Sequence, residues 1–163
     1  MKKSTDIAAL LLRLAVGLIF LPHGWSKVFG EGGPAAFAAD LPSFGLPPFL
    51  GYVAAYAELF GAGLLILGLL SRLDAFLLAC TMAAAIYAVK LPDAMAELQP
   101  GQIKFFAILR AIELEVALCT MSVALIFTGA GRISIDALLR IDERVGSIFS
   151  KKKTAAEAAA VES

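Results

Sequence analysis

Four long apolar segments, each with ionisable residues in or beside it, constrain this chain more than any short motif does. They cover residues 7–28, 49–70, 73–91 and 105–128. Each is close to the ~20 residues with which an α-helix crosses the hydrocarbon core of a bilayer. Hydrophobic residues make up 60% of the chain and charged residues only 17%, which is too apolar for a soluble domain of this length. We therefore predict an all-α protein whose residues 1–131 form a four-helix transmembrane bundle.

The basic residues are distributed unevenly between the two ends of such a bundle. The end that would hold both termini carries Lys2, Lys3, Arg72, Arg132, Arg140, Arg144 and the lysines 151–153. The opposite end would carry Lys27, Lys90 and Lys104. Because Lys and Arg are enriched in cytoplasmic loops, we predict a multi-pass protein of the cell (inner) membrane with both termini in the cytoplasm. The formal net charge is zero and gives no indication of a nucleic-acid partner.

Two segments outside the spans have patterns of their own. Between the first two spans, the Gly- and Pro-rich stretch 31–48 contains an apolar piece, Ala35–Leu41, that we expect to form one or two helical turns. An apolar loop at the membrane surface is a candidate lid or entrance. After the fourth span, apolar residues recur every three to four positions and predict an amphipathic cytoplasmic helix over 132–150. We expect residues 151–163 to be a disordered tail and Asp6 to cap the first helix.

Ionisable residues inside the spans are the main candidates for function, because a charge in hydrocarbon is retained only where it is paired or used. His23 and Lys27 lie one turn apart on the first helix. Glu58 and Glu113 lie at similar depth, about 13 Å from the outer ends of their helices at 1.5 Å per residue. We predict a polar site in the outer half of the bundle, formed by His23, Lys27, Glu58, Arg110 and Glu113.

Two interpretations of this site stay open. The polar cavity could bind a polar head group, for example a quinone ring, or relay protons through an imidazole and a carboxyl group. Alternatively, the charges pair to determine helix packing and do no chemistry. Arg13 and Arg72 are candidate structural charges. Glu115 is rotated by about 200° from Glu113, so it is neutral near lipid, pairs with another helix, or contacts a partner subunit.

The two cysteines, Cys80 and Cys119, lie at comparable depth in the third and fourth spans. They fit either two small apolar core residues or a redox-active pair. The sequence has no zinc-ligand spacing, phosphate-binding loop, haem-attachment motif or nucleophile triad. We therefore predict no metal site and no cofactor of the chain's own, and a quinone is the candidate bound molecule.

Three segments resemble the DoxX family: LRLAVGLIFLPHGWSK at 12–27, ELFGAGLLILGLLSR at 58–72 and GAGRISID at 129–136. The resemblance covers about residues 10–140 and implies a four-helix integral membrane protein of bacteria or archaea. Such proteins include the membrane subunit of a thiosulfate:quinone oxidoreductase and proteins associated with membrane oxidoreductase complexes that handle thiols and oxidative stress. Arg13, His23, Lys27, Glu58 and Arg72 match family-typical positions, but the resemblance implies no agreed catalytic residues.

The leading functional hypothesis is an integral membrane subunit of an oxidoreductase-type complex with a quinone- or lipid-facing polar site. In it, Glu58 and His23 would bind the head group or exchange protons, and Lys27 and Arg110 would tune their charge. The alternative, motivated by Glu115 and the small-residue helix faces, is a non-catalytic accessory subunit that stabilises a larger respiratory or photosynthetic membrane assembly. A transporter fits less well, because the chain has no inverted halves. The expected partners are lipid and other membrane or redox subunits, or a second copy of the chain.

Overall fold

The computed structural model describes residues 2–98 and 103–141, and over these residues the fold is entirely helical. Its elements are α1 (Lys2–Phe29), α2 (Gly33–Asp40), a 3-10 turn (Leu41–Phe44), α3 (Phe49–Leu67), α4 (Ser71–Ala85), a π turn (Ile86–Lys90), α5 (Leu91–Ala96), α6 (Lys104–Thr128) and α7 (Ile135–Leu139). Four of the helical segments are long and apolar enough to cross a membrane. α1 packs on α3, α3 on α4, α4 on α6, and α6 again on α1. The predicted four-helix transmembrane bundle is confirmed.

The bundle has two ends that differ in their chemistry. The N-terminal end holds the start of α1, the turn between α3 and α4, and the segment that follows α6. The opposite end, called here the α2 end, holds α2 and the 3-10 turn. Between them lies an apolar core to which all four long helices contribute: Val16, Phe20, Ala62, Leu65, Ala75, Leu78, Leu118 and Leu125.

Glycines allow α1 and α3 to approach each other closely. A Cβ atom added to Gly24 would lie 2.3 Å from the backbone nitrogen of Leu59, and one added to Gly17 would lie 2.5 Å from Cγ1 of Ile66. Small residues at such crossings are typical of membrane helices, whose association depends on close van der Waals packing. This contact brings the second half of α1 against the middle of α3.

The third span is longer than the sequence predicted. The helix does not end at Leu91 but continues through the π turn into α5, so the membrane-length segment is Ser71–Ala96. Leu91 donates its backbone N–H to the carbonyl of Ile86, the residue five positions before it, as in a π-helix. Pro92 has no N–H and would clash with the carbonyl four residues before it in a regular α-helix. The π turn accommodates this proline, which directly follows the predicted end of the span.

The segment 129–140, called here the C-terminal clasp, closes the N-terminal end of the bundle. The buried Asp136 carboxylate accepts hydrogen bonds from the backbone N–H groups of Leu70 at 2.7 Å and Ser71 at 2.9 Å. The N–H of Asp136 in turn donates to the carbonyl of Gly68 at 2.8 Å. Because free N–H groups at a helix start favour a negative partner, the clasp is held at the beginning of α4.

This anchoring bears on two local predictions. Within the predicted helix 132–150, α7 ends at Leu139 and is followed by Arg140, whose φ of 52° is left-handed; a helix over the full range stays a prediction. Residues 142–150 and the tail 151–163 lie outside the described residues. Asp6 does not cap α1, which already begins at Lys2. Its carboxylate instead accepts the backbone N–H of Arg132 in the clasp at 3.0 Å.

We predict that Gly24→Ala lowers the melting temperature of the protein in detergent, because the new methyl group meets the α3 backbone, which cannot move aside. Overpacking of this kind costs ~1–3 kcal/mol. Gly63→Ala in α3 is the matched control, since its Cβ meets no atom within 4 Å and a helical Gly-to-Ala change by itself is stabilising. Equal melting temperatures for the two variants would contradict the close contact between α1 and α3.

Candidate functional site

An ion pair between a half-buried lysine and a buried glutamate joins α1 to α3 at the α2 end. The ammonium of Lys27 donates to both carboxylate oxygens of Glu58, at 2.6 Å and 2.7 Å. Glu58 is 2% exposed and Lys27 is 25% exposed. The pair lies close to Gly24, whose contact with α3 at Leu59 brings the two helices together. A two-point, charge-assisted hydrogen bond of this kind is strong. In a low-dielectric site, removal of either partner leaves the other charge uncompensated and destabilises the fold.

Helix α2 covers the charged pair from one side. The Lys27 ammonium stands 4.5 Å from the centre of the Phe37 ring, a cation–π distance. α2 reaches this position because it packs on α3 at Gly51, where an added Cβ would lie 2.5 Å from Cα of Ala38. The predicted short helix within 31–48 is therefore present, and it lies over the site. Whether it moves as a lid stays a prediction.

A cavity of about 340 Å³, called here the α2 pocket, lies beside the ion pair. Apolar side chains from α2, the 3-10 turn, α3 and α4 form most of its wall. Its polar lining residues are Lys27, Glu58, Cys80, Thr81 and Lys90. Apolar walls with a few convergent polar groups, at this volume, are typical of small-molecule sites, which span ~300–1,000 Å³.

Only two of the five predicted site residues meet. His23 is exposed on the outside of α1 and does not line the α2 pocket. Arg110 and Glu113 are also exposed, and they line a separate open cleft of about 710 Å³ beside α5 and α6. Within the described chain these two residues do not form an ion pair with each other. The predicted convergence was therefore wrong, because helix spacing gives the depth of a side chain but not the rotation of its helix about its axis.

Glu115 finds its partner within the same chain. Its carboxylate lies 3.4 Å from the ammonium of Lys90, with the two side chains 14% and 47% exposed. Of the three possibilities for Glu115, the structure shows an intramolecular partner on another helical segment. Lys90 was not among the predicted site residues, because its position in the sequence is at the outer end of the third span. The nearest signal was Pro92, which follows the π turn that Lys90 ends.

The two candidate structural arginines bind backbone carbonyl groups at the N-terminal end. Arg13 is 1% exposed and donates to the carbonyl of Ile133 in the clasp at 2.6 Å. Arg72 donates to the carbonyls of Ile126 and, at 3.2 Å, Phe127, in the last turn of α6. Such carbonyls have no partner within their own helix. The buried Asp74 and Asp136 were not among the predicted site residues, because Asp74 lies in the first turn of the third span and Asp136 in the predicted surface helix.

The two cysteines lie in different surroundings and form no disulfide with each other. Cys80 is exposed and lines the α2 pocket. Cys119 is half-buried, and its Sγ donates to the carbonyl of Ala79 at 3.7 Å. Cys80 is therefore the thiol from which the pocket can be probed.

We predict a strong energetic coupling between Lys27 and Glu58. Lys27→Met alone leaves a buried carboxylate without its partner, which costs ~3–5 kcal/mol. The double variant Lys27→Met/Glu58→Gln should recover part of this loss, giving a coupling of ~1–3 kcal/mol. Unfolding of the four proteins of this cycle in mixed micelles measures it. The exposed Lys104→Met serves as a control, expected within ~0.5 kcal/mol of the parent, and additive effects at Lys27 and Glu58 would argue against the ion pair.

Comparison with known proteins agrees with this architecture. The DoxX family profile matches residues 8–91, from the first turns of α1 to the first residue of α5. A protein of Bacillus subtilis strain 168 named "Putative oxidoreductase CatD" is 45% identical over 91 residues, which cover 56% of this chain and 66% of that protein. The chain thus spans just under two thirds of that relative's length.

A second relative extends the similarity towards the fourth span. An uncharacterized protein of Haemophilus influenzae strain KW20 Rd is 31% identical over 125 residues, which cover 77% of this chain and 85% of that protein. No solved structure matches the chain. The family profile covers half of the chain and the whole of the Lys27–Glu58 site, so the chain belongs to the DoxX family.

Proposed function

We propose that this protein is an integral membrane subunit of an oxidoreductase complex and that the α2 pocket binds the head group of a quinone. Family membership and the relative named as an oxidoreductase support a role associated with membrane oxidoreductases. The observation that carries the finer proposal is the α2 pocket, an apolar cavity with the Lys27–Glu58 pair in its wall. A lipid head group is the second ligand that this pocket could take.

The position of the pocket suits a ligand that arrives through the bilayer. Val53, Cys80 and Ala84 line the pocket and are also exposed on the outer face of α3 and α4. In a membrane this face borders lipid, so a lipid-soluble molecule would reach the cavity laterally. Apolar wall residues would contact the ring and the first part of its tail, which contributes ~25 cal/mol per Å² of buried apolar surface.

The Lys27–Glu58 ion pair would supply the polar contact to the quinone head group. Two of the three N–H groups of Lys27 bind Glu58, and the third remains for the Phe37 ring or for a ligand oxygen. A quinone carbonyl is a hydrogen-bond acceptor, so it fits the ammonium. Reduction of a quinone to a quinol consumes two electrons and two protons. Glu58 would exchange protons with the bound ring, and a partner protein would deliver the electrons.

We predict that decylubiquinone slows the alkylation of Cys80 by N-ethylmaleimide, because the bound ring would cover the thiol in the pocket wall. This quinone is fully substituted and has no ring position open to thiol addition. The measurement uses the purified protein in neutral detergent in a Cys119→Ser background, where Cys80 is the remaining thiol of the two in the sequence. Glu58→Gln should raise the half-protecting concentration about tenfold, because Lys27 would lose the charged partner in the pocket wall that holds its ammonium towards the ligand.

Glu31→Gln is the matched control, because Glu31 is exposed at the same end of the bundle and does not line the pocket. It should leave the protection unchanged. If Cys80 reacts at one rate with and without decylubiquinone, while circular dichroism shows a folded protein, the α2 pocket does not bind quinone.

The accessory-subunit alternative loses part of its motivation, because Glu115 pairs with Lys90 inside the chain. Extraction from the native membrane in mild detergent, followed by mass spectrometry of the proteins and lipids that co-purify, separates the two functions. A redox protein together with quinone supports the oxidoreductase subunit. A large assembly that contains its own cofactors supports the accessory role.

The same proposal places both termini in the cytoplasm. Arg72 and Arg132 lie at the N-terminal end of the bundle, and Lys27 and Lys90 lie towards the α2 end, in keeping with the charge asymmetry of the sequence. Alkaline phosphatase fused to the C-terminal end of the chain should be inactive, and a fusion in the link between α5 and α6 should be active. The reverse pattern would place the α2 pocket on the cytoplasmic side.

A further inference from the structure

Lys90 is a second cation in the wall of the α2 pocket, and it is held more loosely than Lys27. Its ammonium lies 3.4 Å from Glu115 and its side chain is 47% exposed, whereas the Lys27 ammonium lies 2.6 Å from Glu58 and that side chain is 25% exposed. A separation of 3.4 Å is longer than the 2.7–3.2 Å of a well-formed N–H···O bond. Exchange of Glu115 for another oxygen would therefore cost less than exchange of Glu58.

The backbone explains why Lys90 reaches this wall. It is the last residue of the π turn, directly before Leu91 and Pro92. A π turn contains one more residue than an α turn, so it rotates the residues around it by about 100° relative to a regular helix. Without it, Lys90 would have a different direction relative to α3 and α6. Single π turns of this kind often occur at functional sites.

The charges of the wall indicate what kind of head group fits. Lys27 and Glu58 compensate each other through their two-point bond. Glu115 does not line the pocket, whereas Lys90 does. The pocket therefore presents one cation, Lys90, beside its apolar walls. The partner of this cation, Glu115, lies outside the lining. A ligand with an apolar body and an oxygen-rich head that carries or accepts negative charge complements this arrangement.

We propose that Lys90 determines the ligand specificity of the α2 pocket by exchanging Glu115 for an acceptor oxygen of the ligand. This inference rests on the proposed binding function of the pocket. The ligand class is an amphiphile with an anionic or carbonyl-bearing head. A quinone and an anionic phospholipid share this chemistry, so both are used as probes, with phosphatidylcholine as the zwitterionic comparison.

Protection of Cys80 from alkylation measures binding of each probe in the Cys119→Ser protein. Lys90→Gln should raise the half-protecting concentration of the preferred probe about tenfold. Lys104→Gln is the matched control, because Lys104 is an exposed lysine that begins α6 and does not line the pocket. It should have no effect.

A second variant gives an effect of opposite sign. Glu115→Gln removes the charge that holds Lys90, so the ammonium becomes available and the half-protecting concentration should fall severalfold. A purely structural role of the Lys90–Glu115 pair would weaken binding in both variants. The opposite signs therefore distinguish specificity from structure, even if one variant is less stable.

The outcomes separate this inference from the function on which it rests. Protection by decylubiquinone alone assigns the head group as a quinone, and protection by phosphatidylglycerol alone assigns it as an anionic lipid; either supports the inference if it depends on Lys90. If Glu58→Gln weakens protection while Lys90→Gln and Glu115→Gln do not change it, Lys90 has no role and the pocket function stands.

If phosphatidylcholine protects as well as the other probes, the charge preference is wrong. If no probe protects Cys80 in the parent protein, the proposed function itself fails.

Discussion

The arrangement of the helices depends on the partners of three buried charges, because hydrocarbon cannot solvate such charges. Glu58 on α3 is paired by Lys27 on α1, Arg13 on α1 by a carbonyl of the clasp, and Asp136 in the clasp by the first N–H groups of α4. In each case the partner comes from a different element. A charge left unpaired in lipid costs several kcal/mol. Each pair therefore fixes how two elements are placed, and together they link α1, α3, α4 and the clasp.

The two ends of the bundle use charge differently. At the N-terminal end, Arg13, Arg72 and Asp136 bind backbone groups. The partners of Arg72 and Asp136 are at helix ends, and the partner of Arg13 is in the clasp. At the α2 end, Lys27 and Glu58 bind each other through side chains beside a cavity. Side-chain partners can be exchanged for a ligand with little change of the backbone. The charges at the N-terminal end therefore fit the structural interpretation. Those at the α2 end fit the proposed functional one.

The pocket depends on irregular backbone as much as on charge. α2 lies over Lys27 because Gly51 lets it pack directly on α3. The π turn ends at Lys90, which is a second cation of the wall. Irregular backbone is tolerated at membrane depth where its polar groups are satisfied by protein. A bundle of four regular helices would have neither the cover nor the second cation, and its α3–α4 face would be exposed to lipid.

Much of the fold could be predicted from the sequence, because span length and apolar composition follow from the thickness of the bilayer and need no knowledge of contacts. The four spans, the short apolar helix before α3 and the candidate status of Lys27 and Glu58 follow from this reasoning. Only the tertiary structure decided which charges meet. It paired Lys27 with Glu58, turned His23, Arg110 and Glu113 away, and joined Lys90 to Glu115. The reason is physical: sequence spacing gives the depth of a residue along its helix, but the rotation of each helix is determined by close contacts such as those of Gly24 and by one extra residue at the π turn.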